Sequence, residues 1–466
     1  MAPQMDNEQR SGHAIVIGGS MAGMLAARVL SDYFERVTLI ERDQLPDGAE
    51  SRKGVPQGRH THGILARGTT ILSEFFPDLL PSLIEGGAVP GDMGESMRWY
   101  QYGGYKINFH SDMEGVALSR PFLDMHIRQR VLARPNVECR DGSAVDELVT
   151  DHARKRVLGV RLRQQGNAAP ETLYADLVVD ASGRGSAAPR WLERLGYGRP
   201  PETSVKINVG YATRIYRRDP TDPLTNTLFL ISPTPPHEKR MAVMFPIEGD
   251  RWIATLGGWC GDHAPDDEAG FNEYARSLAA PDIYDLIRRS EPLSAVMIHK
   301  FPANLRHHYE GMRAFPEGLL VMGDAICSFN PIYGQGMTSS ALQAQVLDCC
   351  LRERQTGDLS GMWRGFFRQV ARVVDIPWQL AAGEDFRYPE VEGVRPRGTA
   401  LINAYVAQVH RVTHHDPVVF SAFLKVMNLI EPPTSLFRPH IVRRVLAGSL
   451  RRRFSTRVAM QAAQPT

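Results

Sequence analysis

Apolar and polar positions alternate along this chain with two periods, and the switches between them mark the elements. His13-Ala-Ile-Val-Ile17 is a short apolar run with β-branched residues and predicts a buried strand. A glycine-rich turn, Gly18-Gly-Ser-Met-Ala-Gly23, follows it. Ala22, Leu25, Ala26, Val29 and Leu30 then recur at i, i+3, i+4, i+7 and i+8, which predicts a helix. Val37-Thr-Leu-Ile-Glu41 reads as a second strand that ends in an acid.

Residues 42–62 are polar and dense in turn formers, and predict a long loop. Residues 63–88 predict one or two helices, and 97–109 a hairpin turning at Gly103-Gly104. Leu123, Ile127 and Val131 give 119–132 a helical stripe with Arg120 at its entrance; strands are expected within 136–150 and 156–163. Leu177-Val-Val179 is a buried-strand run before the small-residue turn Asp180–Ser186. The β-rich stretches 205–217, 227–232, 241–247 and 251–258 predict an antiparallel sheet inserted between parts of a nucleotide domain. Residues 318–325 form the third glycine-bearing segment, a strand ending in Gly323-Asp324. The helix expected over 338–351 has its stripe at Leu342, Val346, Leu347 and Cys350, with Thr338 or Ser339 as its cap. After Arg352 the chain reads as mostly helical, with 383–398 as a loop. The expected division is a discontinuous α/β domain over 1–94, 110–204 and 300–352, a substrate sheet over 95–109 and 205–299, and a helical region over 353–466.

Composition narrows the class. With 466 residues, 43% of them hydrophobic, the chain has material for roughly two or three domains with sizeable cores. A formal net charge of +2 gives no reason to expect a nucleic-acid partner. Cys139, Cys260, Cys327, Cys349 and Cys350 are odd in number and form no C-x-x-C pair, so neither a disulfide framework nor a metal site is expected, and a reducing cytoplasm fits best. Residues 1–12 lack the apolar core of a signal peptide, and no run reaches the ~18 apolar residues of a membrane span. At the C-terminus, Ile441, Val442, Val445, Leu446 and Leu450 share a helix face, with Arg443, Arg444 and Arg451 to Arg453 around it. That pattern suits a helix docked on the body with a solvated basic edge, or weak peripheral contact with an anionic membrane.

The chemistry begins at the first turn. Gly18 permits the tight turn, Gly23 lets helix and strand approach, and the helix N-terminus offers N–H groups to a pyrophosphate. Ser20 stands where the middle glycine of such motifs falls. Glu41, 23 residues after Gly18, is placed to accept from a ribose 2′-OH and to repel a 2′-phosphate, which favours FAD or NAD over NADP. Arg42, Arg52, Lys53, Arg59, His60 and His62 form either a phosphate- or carboxylate-neutralising set or a solvated basic loop. No Ser-His-Asp or Cys-His spacing and no second glycine-rich βαβ unit is evident.

The three glycine-bearing segments, in order over roughly the first 350 residues, resemble flavoprotein monooxygenases of the para-hydroxybenzoate hydroxylase type. Within these they are similar to the branch holding squalene-epoxidase-like and polyether-pathway epoxidases. The resemblance implies a glutathione-reductase-like FAD domain, with the FAD pyrophosphate at Gly18, Ser20, Met21, Ala22 and Gly23, and the adenosine ribose at Glu41 beside Arg42. It places Arg120 near pyrophosphate and flavin, Val145 near adenine, and Asp180 and Gly183 in a motif serving FAD and nicotinamide. Asp324 would hold the ribityl chain, and Pro331, Gly334, Gln335, Gly336 and Met337 would border the isoalloxazine ring. There the glycines let a flat ring approach, and the following helix N-terminus favours the anionic reduced ring by about 0.3–1 kcal/mol.

The implied activity is monooxygenation. Electrons from NADPH or NADH, delivered directly or by a flavin reductase, reduce the flavin, and O₂ then gives a C4a-hydroperoxide that epoxidises or hydroxylates an apolar polyketide, terpenoid or aromatic. The cofactor carries that chemistry, so no catalytic side chain is assigned. Flavin halogenases and isoprenoid-type reductases share the fold, and a non-catalytic flavin-binding redox partner is a further alternative. The halogenase Trp-x-Trp-x-Ile-Pro segment has no match at Met97-Arg-Trp-Tyr-Gln-Tyr or Asp250-Arg-Trp-Ile-Ala-Thr.

Overall fold

A computed structural model describes residues 12–164, 169–354 and 358–462, with side chains as far as residue 450. Five parallel strands form the first sheet, in the order Leu319–Val321, Leu177–Asp180, His13–Ile17, Arg36–Ile40 and Val137–Arg140. Their near-continuous apolar runs follow from helices covering the sheet. Ile17 pairs with both Ile40 and Asp180, and Asp180 with Val321, so the turns after these strands open along one edge. That carboxyl edge is where open parallel sheets bind ligands. The helix Met21–Leu30 buries nine of its ten residues between this sheet and the helix Gly336–Arg352. The latter begins two residues before the expected start, and Gln335 is its N-cap, without a side-chain cap. Thr338 is inside the helix, where its Oγ1 accepts from the Leu65 N–H at 3.2 Å, and Ser339 is likewise buried in it.

The second sheet has eight strands. Its order is Cys327–Ser328, Met297–His307, Glu202–Arg217, Arg251–Gly258, Arg240–Ile247, Leu228–Ile231, Met97–Gln101 and Gly104–Tyr105. It is antiparallel except where Leu228–Ile231 pairs in parallel with Met97–Gln101. The hairpin of the last two strands turns at Tyr102-Gly103, both at positive φ, one residue before the expected position. Period two divides its residues between two faces. Ala212, Tyr216, Phe229, Met244, Trp252 and Ala254 pack on the back against the helices Glu268–Arg276 and Asp282–Arg289, which the sequence pattern did not reveal. Val209, Tyr211, Met241 and Phe301 look the other way, toward Ile332, Tyr333 and Trp378.

The C-terminal region is helical. Met362–Asp385 continues through Pro377 and Gly383, so the loop expected from 383 starts at Phe386. Lys106, beyond the hairpin, is buried beneath this region; its ammonium donates to Thr413 Oγ1 at 2.9 Å and lies 4.6 Å from the Trp99 ring centre. Burial pulls its pKa to about 7. The final helix, Pro439–Ala462, docks through Ile441 and Val445, 2% and 1% exposed, and leaves Leu446 and Leu450 57% and 55% exposed. Its apolar stripe is thus split; the side chains of Arg451 to Arg453 fall outside the described residues, as do residues 1–11. Among the described residues no helix is long and apolar enough to cross a membrane.

Candidate active site

The first turn is a backbone cradle. Gly18 has φ +103°, and a Cβ there would meet the Ala181 carbonyl at 2.5 Å; a Cβ on Gly23 would lie 1.7 Å from the Gly18 carbonyl oxygen. These two positions require glycine, because backbone and not a movable side chain fills the space. Ser20 is the N-cap of Met21–Leu30 but does not cap it; its Oγ instead accepts from Arg120 Nη2 at 3.2 Å. Arg120 is buried and anchored by Asp124 at 2.7 Å, on a helix capped by Ser119. Met21 and Ala22 lie buried in the first turn of the first helix.

Glu41 is buried at the end of its strand. Oε2 accepts from the Gly19 N–H at 2.7 Å and pairs with Arg52 at 2.9 Å, while Oε1 accepts from the Asp43 N–H at 3.0 Å. It faces the turn, with Arg52 committed to the acids and Arg42 exposed beside it. Val145 is in the neighbouring strand Ser143–Thr150, whose Ser143 N–H donates to the Glu41 carbonyl at 2.9 Å.

The middle motif closes on itself. Asp180 is fully buried; Oδ1 accepts from the Ser182 N–H at 2.9 Å and Oδ2 from Ser186 Oγ at 2.6 Å. Its carboxylate therefore holds the turn, while Gly183, at φ +83°, leaves open space above it. Gly323, at φ +67°, brings the next turn against Ala22, where a Cβ would sit 2.5 Å from the Ala22 Cβ. Asp324 follows, with its carboxyl in the field of Arg120 and Arg184 but in no hydrogen bond to the protein. Burial raises its pKa and the two guanidiniums oppose the rise.

Pro331–Tyr333 forms a single 3₁₀ turn, Gly334 takes φ +64°, and Gly336 opens the helix with nothing within 4 Å of a built Cβ. Met337 is buried behind it. Gln335 is 1% exposed, yet neither atom of its side-chain amide has a partner. A buried amide left unpaired costs about 1–3 kcal/mol per group, so both atoms are open to a partner from outside the chain.

A track of imidazoles and hydroxyls runs from His60 and Thr61 into the second sheet. His60 Nδ1 bonds Thr213 Oγ1 at 2.7 Å, Thr213 bonds Thr255 at 2.6 Å, and Thr255 bonds Thr61. The His299 ring is 5.6 Å from His60 and stacks on Tyr211 at 6.4 Å. Burial lowers His60 to about 4 and, with Arg120 nearby, His62 to about 3, so both imidazoles are neutral at pH 7 in the chain alone. Folded pKa values below the ordinary 6.5 mean that the unfolded chain takes up protons first. Stability should therefore fall as pH drops from about 6.5 toward 4 and stay level above. Melting curves of wild type and His60→Gln between pH 7 and pH 4.5 check this, the variant declining less steeply.

The residues read from sequence thus converge at the carboxyl edge of the parallel sheet, apart from Val145, which lies two residues beyond Ser143. His299 and Tyr211, whose rings join this track, were not singled out from the sequence. Only alternation could have marked Tyr211 and His299 as facing the same way as Val209 and Phe301.

No family model matches the chain. Among solved structures, the flavin-dependent brominase Bmp2 aligns with a TM-score of 0.60 at 13% identity, over 95% of this chain and 100% of its own. A flavoprotein/dehydrogenase from Cytophaga hutchinsonii gives 0.65 at 14%, over 89% and 92%. PqsL, a probable FAD-dependent monooxygenase from Pseudomonas aeruginosa, gives 0.57 at 18%, over 81% and 98%. These likenesses show the fold, a mixed α/β architecture that this chain shares with those proteins. Protein Rv3254 of Mycobacterium tuberculosis is 31% identical over 454 residues, 94% of each chain, and at that identity and coverage this chain belongs to the same protein family as Rv3254.

Proposed function

We propose that this protein is an FAD-dependent monooxygenase that takes electrons from NADH or NADPH and oxygenates an apolar secondary metabolite, by epoxidation or hydroxylation. The observation that carries the reading is Gln335, a buried amide with both atoms unspent, in a glycine-rich loop at a helix N-terminus. The cradle at Gly18 and Gly23 suits a pyrophosphate, and Asp324, without a protein partner, suits ribityl hydroxyls. Bound and reduced, FAD supplies the activation of O₂.

The chain's own part is to bind, orient and keep water out. Arg120 and the helix N-terminus of Met21–Leu30 meet negative charge at the first turn. Tyr211 and Tyr333, both held far above the ordinary phenol pKa by burial, spend their hydroxyls inside the wall, on Asn330 and Asp385. No hydroxyl of theirs is left over as a donor, and with Val209, Met241 and Ile332 they pack into one apolar cluster beside the loop, which suits a substrate with little charge. Similarity to both a brominase and a probable monooxygenase leaves halogenation as the alternative outcome of one experiment. The FAD-loaded protein, NADPH or NADH, O₂ and bromide are incubated with polyene and phenolic substrates, and products are weighed by mass spectrometry. Gain of one oxygen is expected; gain of bromine, or of two hydrogens, would replace the reading with halogenase or reductase.

A further inference from the structure

We propose that Asp385 is a positioning residue of this site: its carboxylate, carried by the helix Met362–Asp385, fixes the loop Asn330–Gly334 and leaves a negative charge behind it. The inference deepens the flavin reading and rests on it. Asp385 is completely buried. Oδ1 accepts from Trp259 Nε1 at 2.9 Å, Tyr333 OH at 2.9 Å and Asn330 Nδ2 at 3.1 Å, and Oδ2 accepts from Asn304 Nδ2 at 2.7 Å. Asn304 lies inside the strand Met297–His307, Trp259 follows the strand Arg251–Gly258, and Asn330 and Tyr333 belong to the loop, so one carboxylate ties the sheet, the loop and the C-terminal helices together.

The network also decides the charge. An indole N–H and two amide NH₂ groups can only donate, and the Tyr333 hydroxyl has no other acceptor among the described residues, so it too spends its hydrogen on Asp385. The amide orientations are fixed independently: Asn330 Oδ1 accepts from Tyr211 OH, and Asn304 Oδ1 accepts from the Asn330 N–H. A protonated Oδ2 would point its hydrogen at the Asn304 amide, donor against donor. Burial raises the pKa of Asp385 above the ordinary carboxylate value and the four donors oppose the rise; it is their geometry, which leaves an acid proton on Oδ2 no acceptor, that points to the anion. Among the described residues no cation pairs with it; Arg387, two residues on, is paired with Glu384 at 2.8 Å. Neutral donors spread an anion without neutralising it, and its field acts strongly at low dielectric. Through Asn330 the same carboxylate also orients Tyr211 on the opposite wall.

The test is made on FAD-loaded full-length protein, reading FAD dissociation by fluorescence and the flavin reduction potential by titration against a reference dye. Asp385→Asn replaces an acceptor by a donor and removes the charge. It should weaken FAD binding tenfold or more and shift the potential positive, since one negative charge opposing reduction is gone. Trp259→Phe keeps the charge but removes a donor that spreads it, and should shift the potential the opposite way. Should Asp385→Asn fail to fold, Trp259→Phe and Tyr333→Phe carry the test, both shifting negative if the inference is right. Unchanged affinity and potential in the variants that fold, even with a lowered melting temperature, would overturn it and reduce Asp385 to a structural anchor. Wild-type protein that takes up no FAD would instead overturn the flavin reading itself, and this inference with it.

Discussion

Gly23→Ala protein is expected to be isolated without flavin and to refuse added FAD. The added methyl would lie 1.7 Å from the Gly18 carbonyl oxygen and 2.8 Å from its carbon, and both atoms are backbone. The helix Met21–Leu30 cannot back away, because nine of its residues are buried against the parallel sheet and the helix Gly336–Arg352. The strain must therefore be taken up by the turn that forms the cradle. Overpacking of this kind costs about 1–3 kcal/mol and can exceed that where backbone has to move. If the cost falls on the bound form, FAD affinity drops on the order of a hundredfold, since about 1.4 kcal/mol is tenfold. Gly365→Ala makes the same chemical change in the helix Met362–Asp385, where a built Cβ meets nothing within 4 Å. That variant should keep its flavin and gain up to about 0.5–1 kcal/mol of stability. Visible absorbance after reconstitution, with a thermal melt of each protein, separates the two cases. Equal flavin content in both would contradict the cradle.

Asp324→Ala should lose FAD affinity while keeping its fold. The carboxyl makes no hydrogen bond inside the protein and is only partly covered, so its removal breaks no internal contact. A hydrogen bond to a charged group is worth about 1.5–3 kcal/mol, which predicts a loss on the order of tenfold to a hundredfold. With the anion gone, Arg184 and the Asp124-paired Arg120 lose the carboxylate whose field they share. Binding of a small anion such as sulfate should then strengthen. Calorimetric titration with FAD and with sulfate measures both, and unchanged FAD affinity would remove Asp324 from the ribityl assignment.

Much of this arrangement was legible residue by residue. The strand Arg251–Gly258 matches the expected bounds, and the helix with Arg120 at its entrance begins where the pattern placed it. Boundaries failed where tertiary contacts overrode a local signal. Gly383 reads as a loop former, but its helix runs on to Asp385, which four donors hold from other segments. Thr338 reads as a cap, but its hydroxyl is taken by the Leu65 N–H from 273 residues away. His60 and His62 read as cations, and burial makes them neutral. The amphipathic face near the C-terminus reads as one stripe, and docking divides it into a buried pair and an exposed pair.

What the amino-acid sequence alone determined is therefore the set of elements, their order and the glycine-lined turns, because periodicity and permitted backbone conformation are properties of neighbouring residues. Only the tertiary structure decided which charges meet: Arg120 with Ser20, Glu41 with Arg52 and the Gly19 N–H, and Asp385 with donors from three other segments. The reason is that burial, and with it the strength and even the presence of a charge, is set by what packs around a side chain, and those neighbours lie up to hundreds of residues away along the chain.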